Sequence, residues 1–183
     1  MLQERLILNR LSEKQLRFLE RVRLQMERYF GSDVRRIIHA QEVTDHAADL
    51  LQYIDADPLV TLTATYLHDI GIPEAERKFG QCSGKLQEQE GPPVARILLA
   101  DVGAEEGLID KVCELVGRHH TSAGVDSAEF RILWDADALV NLSERVADKK
   151  RQAIEAILDK ALVTEAGYRR ARDIYLPVNP ASR

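Results

Sequence analysis

One stretch of this chain decides its fold class. Between residues 59 and 67, Val60, Leu62, Ala64 and Tyr66 alternate with Thr61, Thr63 and Thr65. Locally that is the period-two pattern of a half-buried strand. No second stretch offers it a convincing partner, and a lone strand would leave its backbone N–H and C=O groups unpaired. The residues therefore predict a buried helix starting at the Asp57-Pro58 cap. The fold class that follows is all-α, a single-domain helical bundle.

The remaining segments follow the helical period. Residues 12 to 30 carry Leu16, Leu19, Val22 and Met26 on one stripe, with Ser12 as the cap and Gly31 as the stop. A second helix starts at Ser32 or Asp33 and runs to about residue 54. Gly71 and Pro73 end the buried segment just after the pair His68-Asp69, which places that pair in the last helical turn. Residues 74 to 91 are polar, contain Gly80, Gly84 and Gly91, and read as a loop that could cover a site. Pro92-Pro93 then open a helix ended by Gly103. Further helices are expected over residues 105 to 117, 128 to 146, 149 to 162 and 164 to 175, with a tail from 177. Residues 1 to 30 read as an N-terminal helical extension packed on a domain spanning 31 to 183.

Composition narrows the classes of function. Hydrophobic residues make up 45% and charged residues 30%, which fits a globular chain rather than a disordered one. The first residues, Met1-Leu2-Gln3-Glu4-Arg5, lack the apolar run of a leader, and no segment approaches the roughly 18 apolar residues of a membrane span. Cys82 and Cys113 form no paired motif and read as reduced thiols, so a cytoplasmic protein is expected. The formal charge of −5 disfavours broad nucleic-acid binding. Residues 1 to 36 hold nine basic and five acidic side chains, a local +4 against −9 for the rest. Such an arm either steers an anionic substrate or is a solvated helix face.

Four separated places carry metal-ligating side chains: His39, His68-Asp69, His119-His120 and Asp135-Ala136-Asp137. An imidazole beside a carboxylate suits a divalent ion of borderline hardness. Asp135 and Asp137 lie two apart on a helix and diverge, so only one of them can face a common focus. His46, two turns beyond His39, reads as a core or surface residue.

Taken in this order, the residues resemble the HD superfamily of metal-dependent phosphohydrolases, whose motif is H…HD…D. The resemblance rests on Arg36, His39 and Val43, on Leu67-His68-Asp69-Ile70-Gly71, and on Ala136-Asp137-Ala138-Leu139. It implies metal ligands His39, His68, Asp69 and Asp137 in an all-α bundle. It also implies one divalent metal ion, with Mn, Fe, Co, Ni, Mg and Zn all open. The implied function is hydrolysis of a small phosphate ester, with nucleotides among the candidates, through a metal-bound hydroxide. Asp69, His119 and His120 are the candidate catalytic side chains. Arg36, Arg77 and Lys78 are candidate counter-charges for phosphate. The expected partner is a small phosphorylated substrate, with no membrane and with a homodimer left open.

Two departures matter. Two-metal relatives that cleave cyclic dinucleotides read His-His-Glu, followed by a Gly-Tyr-Pro signature, where this chain reads His119-His120-Thr121. They also place a histidine four residues before a glycine, where this chain has Gln87 before Gly91. A dinuclear site is therefore disfavoured, and the His119-His120 pair is read as contacting phosphate or carrying a proton. The deoxynucleotidase branch has an acid three residues after its His-Asp pair, where this chain has Ile72. Glu74 and Glu76 are the nearest later carboxylates. These departures keep an alternative open: a catalytically silent, metal- and nucleotide-binding regulatory module.

Overall fold

The computed structural model describes residues 10–121 and 126–177. Within them the chain forms nine helices and no strand. These are α1 (Glu13–Phe30), α2 (Val34–Leu50), α3 (Pro58–Leu67), α4 (Ile72–Phe79), α5 (Gly84–Asp101), α6 (Glu106–Val116), α7 (Ala128–Val146), α8 (Arg151–Ala161) and α9 (Glu165–Tyr175). None of the described helices is long and apolar enough to cross a membrane. Part of the connection after Thr121 and the tail from 178 onward lie outside the described residues.

The ambiguous stretch is the centre of the bundle. α3 packs against α1, α2, α6 and α7, so it is buried nearly all round rather than on one stripe. Pro58 sits in its first turn, and the Asp57 carboxylate accepts from Leu59 N and Val60 N. Its alternating threonines are compatible with a dry interior because most of their hydroxyls find local acceptors. Thr61 donates to Asp57 O at 2.8 Å and Thr65 to Leu62 O at 2.9 Å. Thr44 of α2 donates to Ala40 O and approaches Thr65 Oγ1 at 3.0 Å. Truncating Leu67, which is fully buried, to alanine would cost about 2–5 kcal/mol.

The neighbours of α3 carry their own signals. α1 starts with a capping box, in which Ser12 and Gln15 satisfy one another's backbone N–H groups. Its buried stripe of Phe18, Leu19, Val22, Met26 and Phe30 faces α3. α2 pairs with both α3 and α7, and α5 pairs with α6. Helices α8 and α9 cover α7 from the outside.

Three sequence expectations are corrected. Residues 74–91 are helical at both ends rather than a covering loop: α4 runs to Phe79 and α5 begins at Gly84. Several of their polar side chains pair along α4, as in Glu74–Arg77 and Glu74–Lys78. Pro92 and Pro93 lie inside α5 rather than opening it, because the buried positions Gly91, Ala95 and Leu99 keep one face in register across them. The helix over α2 stops at Leu50, followed by turns through Ile54. Glycine here serves close approach. A Cβ on Gly71 would fall 2.5 Å from Gln87 O and 2.6 Å from Gly91 N, and one on Gly91 would fall 2.6 Å from Val116 Cγ1. The turn after α3 is thereby pressed against α5.

Candidate metal centre

The end of α3 delivers the central pair, just past its last helical residue. His68 is fully buried, and its Nδ1–H donates to Thr65 O at 2.8 Å. That bond leaves Nε2 as the lone-pair nitrogen of the neutral ring. Across from it, α2 presents His39 and α7 presents Asp137. His39 Nε2 lies 3.2 Å from His68 Nε2 and 3.1 Å from Asp137 Oδ1. Asp69 Oδ2 lies 3.6 Å from His39 Nε2 and 3.5 Å from His68 Nε2. His68 Nε2 and Asp137 Oδ1 are 3.6 Å apart. Four side chains from three regions of the sequence thus gather around two imidazole nitrogens: His39, His68 and Asp69 form one convergent set, and Asp137 adjoins both of its imidazoles.

Those separations fit a cation. Ligand atoms about 2.1 Å from an ion stand about 3.0 Å apart at right angles and about 3.4 Å apart at tetrahedral angles. The observed 3.1–3.6 Å spacings are the edges of such a polyhedron. The electrostatics agree. Burial opposes charge on His68, yet the carboxylates of Asp69 and Asp137 hold its pKa up at about 9. Burial pushes Asp69 up, but His68 and His119 beside it hold it down at about 2. Burial also opposes ionisation of Asp137, and contacts from His39 and His68 keep it well below the usual carboxylate range. Two carboxylates facing the same two imidazoles favour positive charge between them, either a proton on an imidazole or a metal ion.

A second group abuts the first. His119 follows the end of α6, and its Nδ1–H donates to Val116 O at 2.7 Å, as His68 does to its own residue three back. Its Nε2 is buried without a hydrogen-bond partner, and Asp69 Oδ1, 3.5 Å away, is too distant for a good one. The His120 ring lies 4.0 Å from that of His119, and its Nε2 contacts Gln87 Oε1 at 2.8 Å. Asp69 therefore turns one oxygen to each group. The sets His39, His68, Asp69 and Asp69, His119, His120 each bring their ligand atoms within 4.8 Å of one another.

The other candidate residues fall elsewhere. Asp135 faces away from the focus: Val163 N, Thr164 N and Thr164 Oγ1 all donate to its carboxylate. Arg36, one turn before His39, is held by Asp33 at 3.1 Å and by Glu76 at 2.7 Å. Arg77 pairs with Glu74, and Lys78 pairs with Glu74 and Glu90. His46 belongs to neither convergent set. Sequence reasoning passed over Asn141, whose Nδ2 donates to Asp137 Oδ1 at 2.8 Å. The available signal was its position one helical turn after Asp137. It also passed over Gly84 and Glu88, which a loop reading of residues 74–91 hides.

Residues 36–142, more than half of the chain, match the family model described as HD domain. The chain belongs to the HD domain family. Every residue of the two convergent sets lies inside the matched region. This HD domain also shares its fold with solved structures. A predicted HD superfamily hydrolase from an uncultured Thermotogales bacterium is 24% identical, with a TM-score of 0.58 over 87% of this chain and 84% of that chain. YpgQ of Bacillus subtilis is 14% identical, with a TM-score of 0.57 over 88% of this chain and 91% of that chain. No curated protein matches the sequence.

Proposed function

We propose that this HD domain is a metal-dependent phosphohydrolase acting on a small phosphate ester, with nucleotides the first class to test. One observation carries the reading: the Nε2 atoms of His39 and His68 lie 3.2 Å apart, and a carboxylate oxygen of Asp69 and one of Asp137 each lie within 3.6 Å of both. These four residues hold the ion. A bound divalent ion would supply Lewis acidity and lower the pKa of a water molecule at the site.

The chain's own groups do the rest. Thr65 O fixes the tautomer of His68, and Asn141 orients Asp137. Arg36 binds the substrate phosphate by exchanging its Glu76 partner for a phosphate oxygen, since guanidinium pairs well with either. His119 and His120, beside Asp69, carry protons to and from the reacting oxygens.

The test is direct. The purified protein is analysed for metal and then incubated with a panel of nucleotides and simple phosphoesters in Mn, Mg, Co, Ni, Fe(II) or Zn. Release of inorganic phosphate, pyrophosphate or a nucleoside monophosphate is expected with at least one pairing. Tight nucleotide binding to the metal-loaded protein with no product over hours would replace this reading with the silent regulatory module.

A further inference from the structure

The first turns of α5 form a cradle for one histidine. Gly84, Gln87 and Glu88 stand at i, i+3 and i+4, so they share a helix face. That face meets His120. The His120 backbone N donates to Glu88 Oε1 at 3.0 Å, and Thr121 Oγ1 donates to Glu88 Oε2 at 2.9 Å. A Cβ on Gly84 would lie 2.9 Å from Cγ and Cδ2 of the ring, so the imidazole packs directly on backbone. Gln87 Oε1 meets His120 Nε2 at 2.8 Å.

The orientation of the Gln87 amide is determined by its other contact. Its Nε2 donates to Cys82 O at 2.8 Å. The flipped amide would set Oε1 against that carbonyl, acceptor against acceptor, and is excluded on that ground. With Oε1 facing the ring, His120 must place a hydrogen on Nε2. Its lone pair then sits on Nδ1. This is the reverse of His68 and His119, whose Nδ1–H groups are held by backbone carbonyls. The backbone of Gln87 is close to the metal centre, because its main-chain carbonyl oxygen lies against Gly71 in the turn that carries Asp69.

We infer that Gln87 is a positioning residue that holds His120 as the Nε2–H tautomer, so that Nδ1 is the proton acceptor His120 offers to the site. The tautomer assignment stands on the hydrogen bonds alone, and only its effect on turnover rests on the phosphohydrolase reading. Replacing the histidine partner with an apolar group would leave the ring free to exchange tautomers. A carboxylate at the same position would still accept from Nε2–H, at the cost of setting its second oxygen against Cys82 O.

The test is imidazole ¹⁵N spectroscopy of the Mg-loaded full chain, with His120 assigned by its absence in a His120→Asn sample. In the wild type, His120 is expected to show a protonated Nε2 and a lone-pair Nδ1. Gln87→Leu is expected to give an averaged mixture, and Gln87→Glu to keep Nε2 protonated. In phosphate release, Gln87→Leu is expected to lower kcat about tenfold with little change in KM, the size of effect typical of a residue orienting a site group. A wild-type His120 protonated on Nδ1, or a Gln87→Leu spectrum identical to the wild type, would overturn the assignment. A shifted tautomer with unchanged kcat would overturn the catalytic part. If Gln87→Leu does not fold, the wild-type and Gln87→Glu spectra still decide. A chain without turnover leaves the spectra just as decisive.

Discussion

Asp135 and Asp137 are two residues apart on α7, and their carboxylates lead opposite lives. Asp135 is completely buried and closed. Two backbone N–H groups and one hydroxyl donate to it from residues 163–164, and Gly167 packs so close that a Cβ there would lie 2.3 Å from its Oδ2. Asp137 faces His39 and His68 and is steadied on one side by Asn141. Burial raises the pKa of Asp135 despite its three donors, whereas the imidazoles outweigh burial at Asp137 and lower it. A carboxylate whose lone pairs are consumed by the backbone of its own chain holds the fold together. One whose neighbours are other ligand atoms is arranged to hold something else.

Substitutions can break this contrast, and the largest effect belongs to the convergent site. His68→Ala and Asp69→Ala are expected to lose the metal and all measurable turnover, read by elemental analysis and phosphate release, with the helical circular dichroism spectrum retained. Asp135→Ala should do the reverse. Unpairing Val163 N and Thr164 N costs about 1.5–3 kcal/mol for each lost charge-assisted bond. Urea unfolding should show that loss, while the metal content of the folded fraction stays at the wild-type level.

The pH dependence sharpens the same contrast. Without metal, the raised pKa of His68, about 9, means its contribution to stability is complete below its ordinary value of 6.5. The contribution is lost as pH rises through about 9. Urea midpoints of the chelator-treated protein should therefore fall over that window. With a saturating divalent ion the slope should reverse, because the metal competes with the proton on the same imidazole. The smallest effect is expected at Asn141, where Asn141→Ala should weaken metal binding roughly tenfold without changing the unfolding midpoint of the metal-free protein.

Much of this was legible in the sequence, for identifiable reasons. The helix over residues 13–30 announces itself through its cap and a single apolar stripe. The class of α3 followed from elimination, since nothing could pair with it as a strand. Residues 74–91 misled because glycine and polarity usually mean a loop. Here Gly91 serves a close contact with Gly71 and Val116, and polar side chains pair along α4. The spacing of Asp135 and Asp137 showed that they diverge. The resemblance chose Asp137 as the one to face the site, but the partners that hold Asp135 lie 28 and 29 residues away and are seen only in the structure. Gln87 stood out in the sequence only as a departure from relatives, and its contact with His120 spans 33 residues.

The most direct test is the metal content of purified Asp137→Asn. This substitution preserves size and polarity while removing the charge and one acceptor. The account predicts that the variant is folded and contains little or no divalent metal beside a loaded wild type. A folded Asp137→Asn protein with a full complement of metal would contradict it.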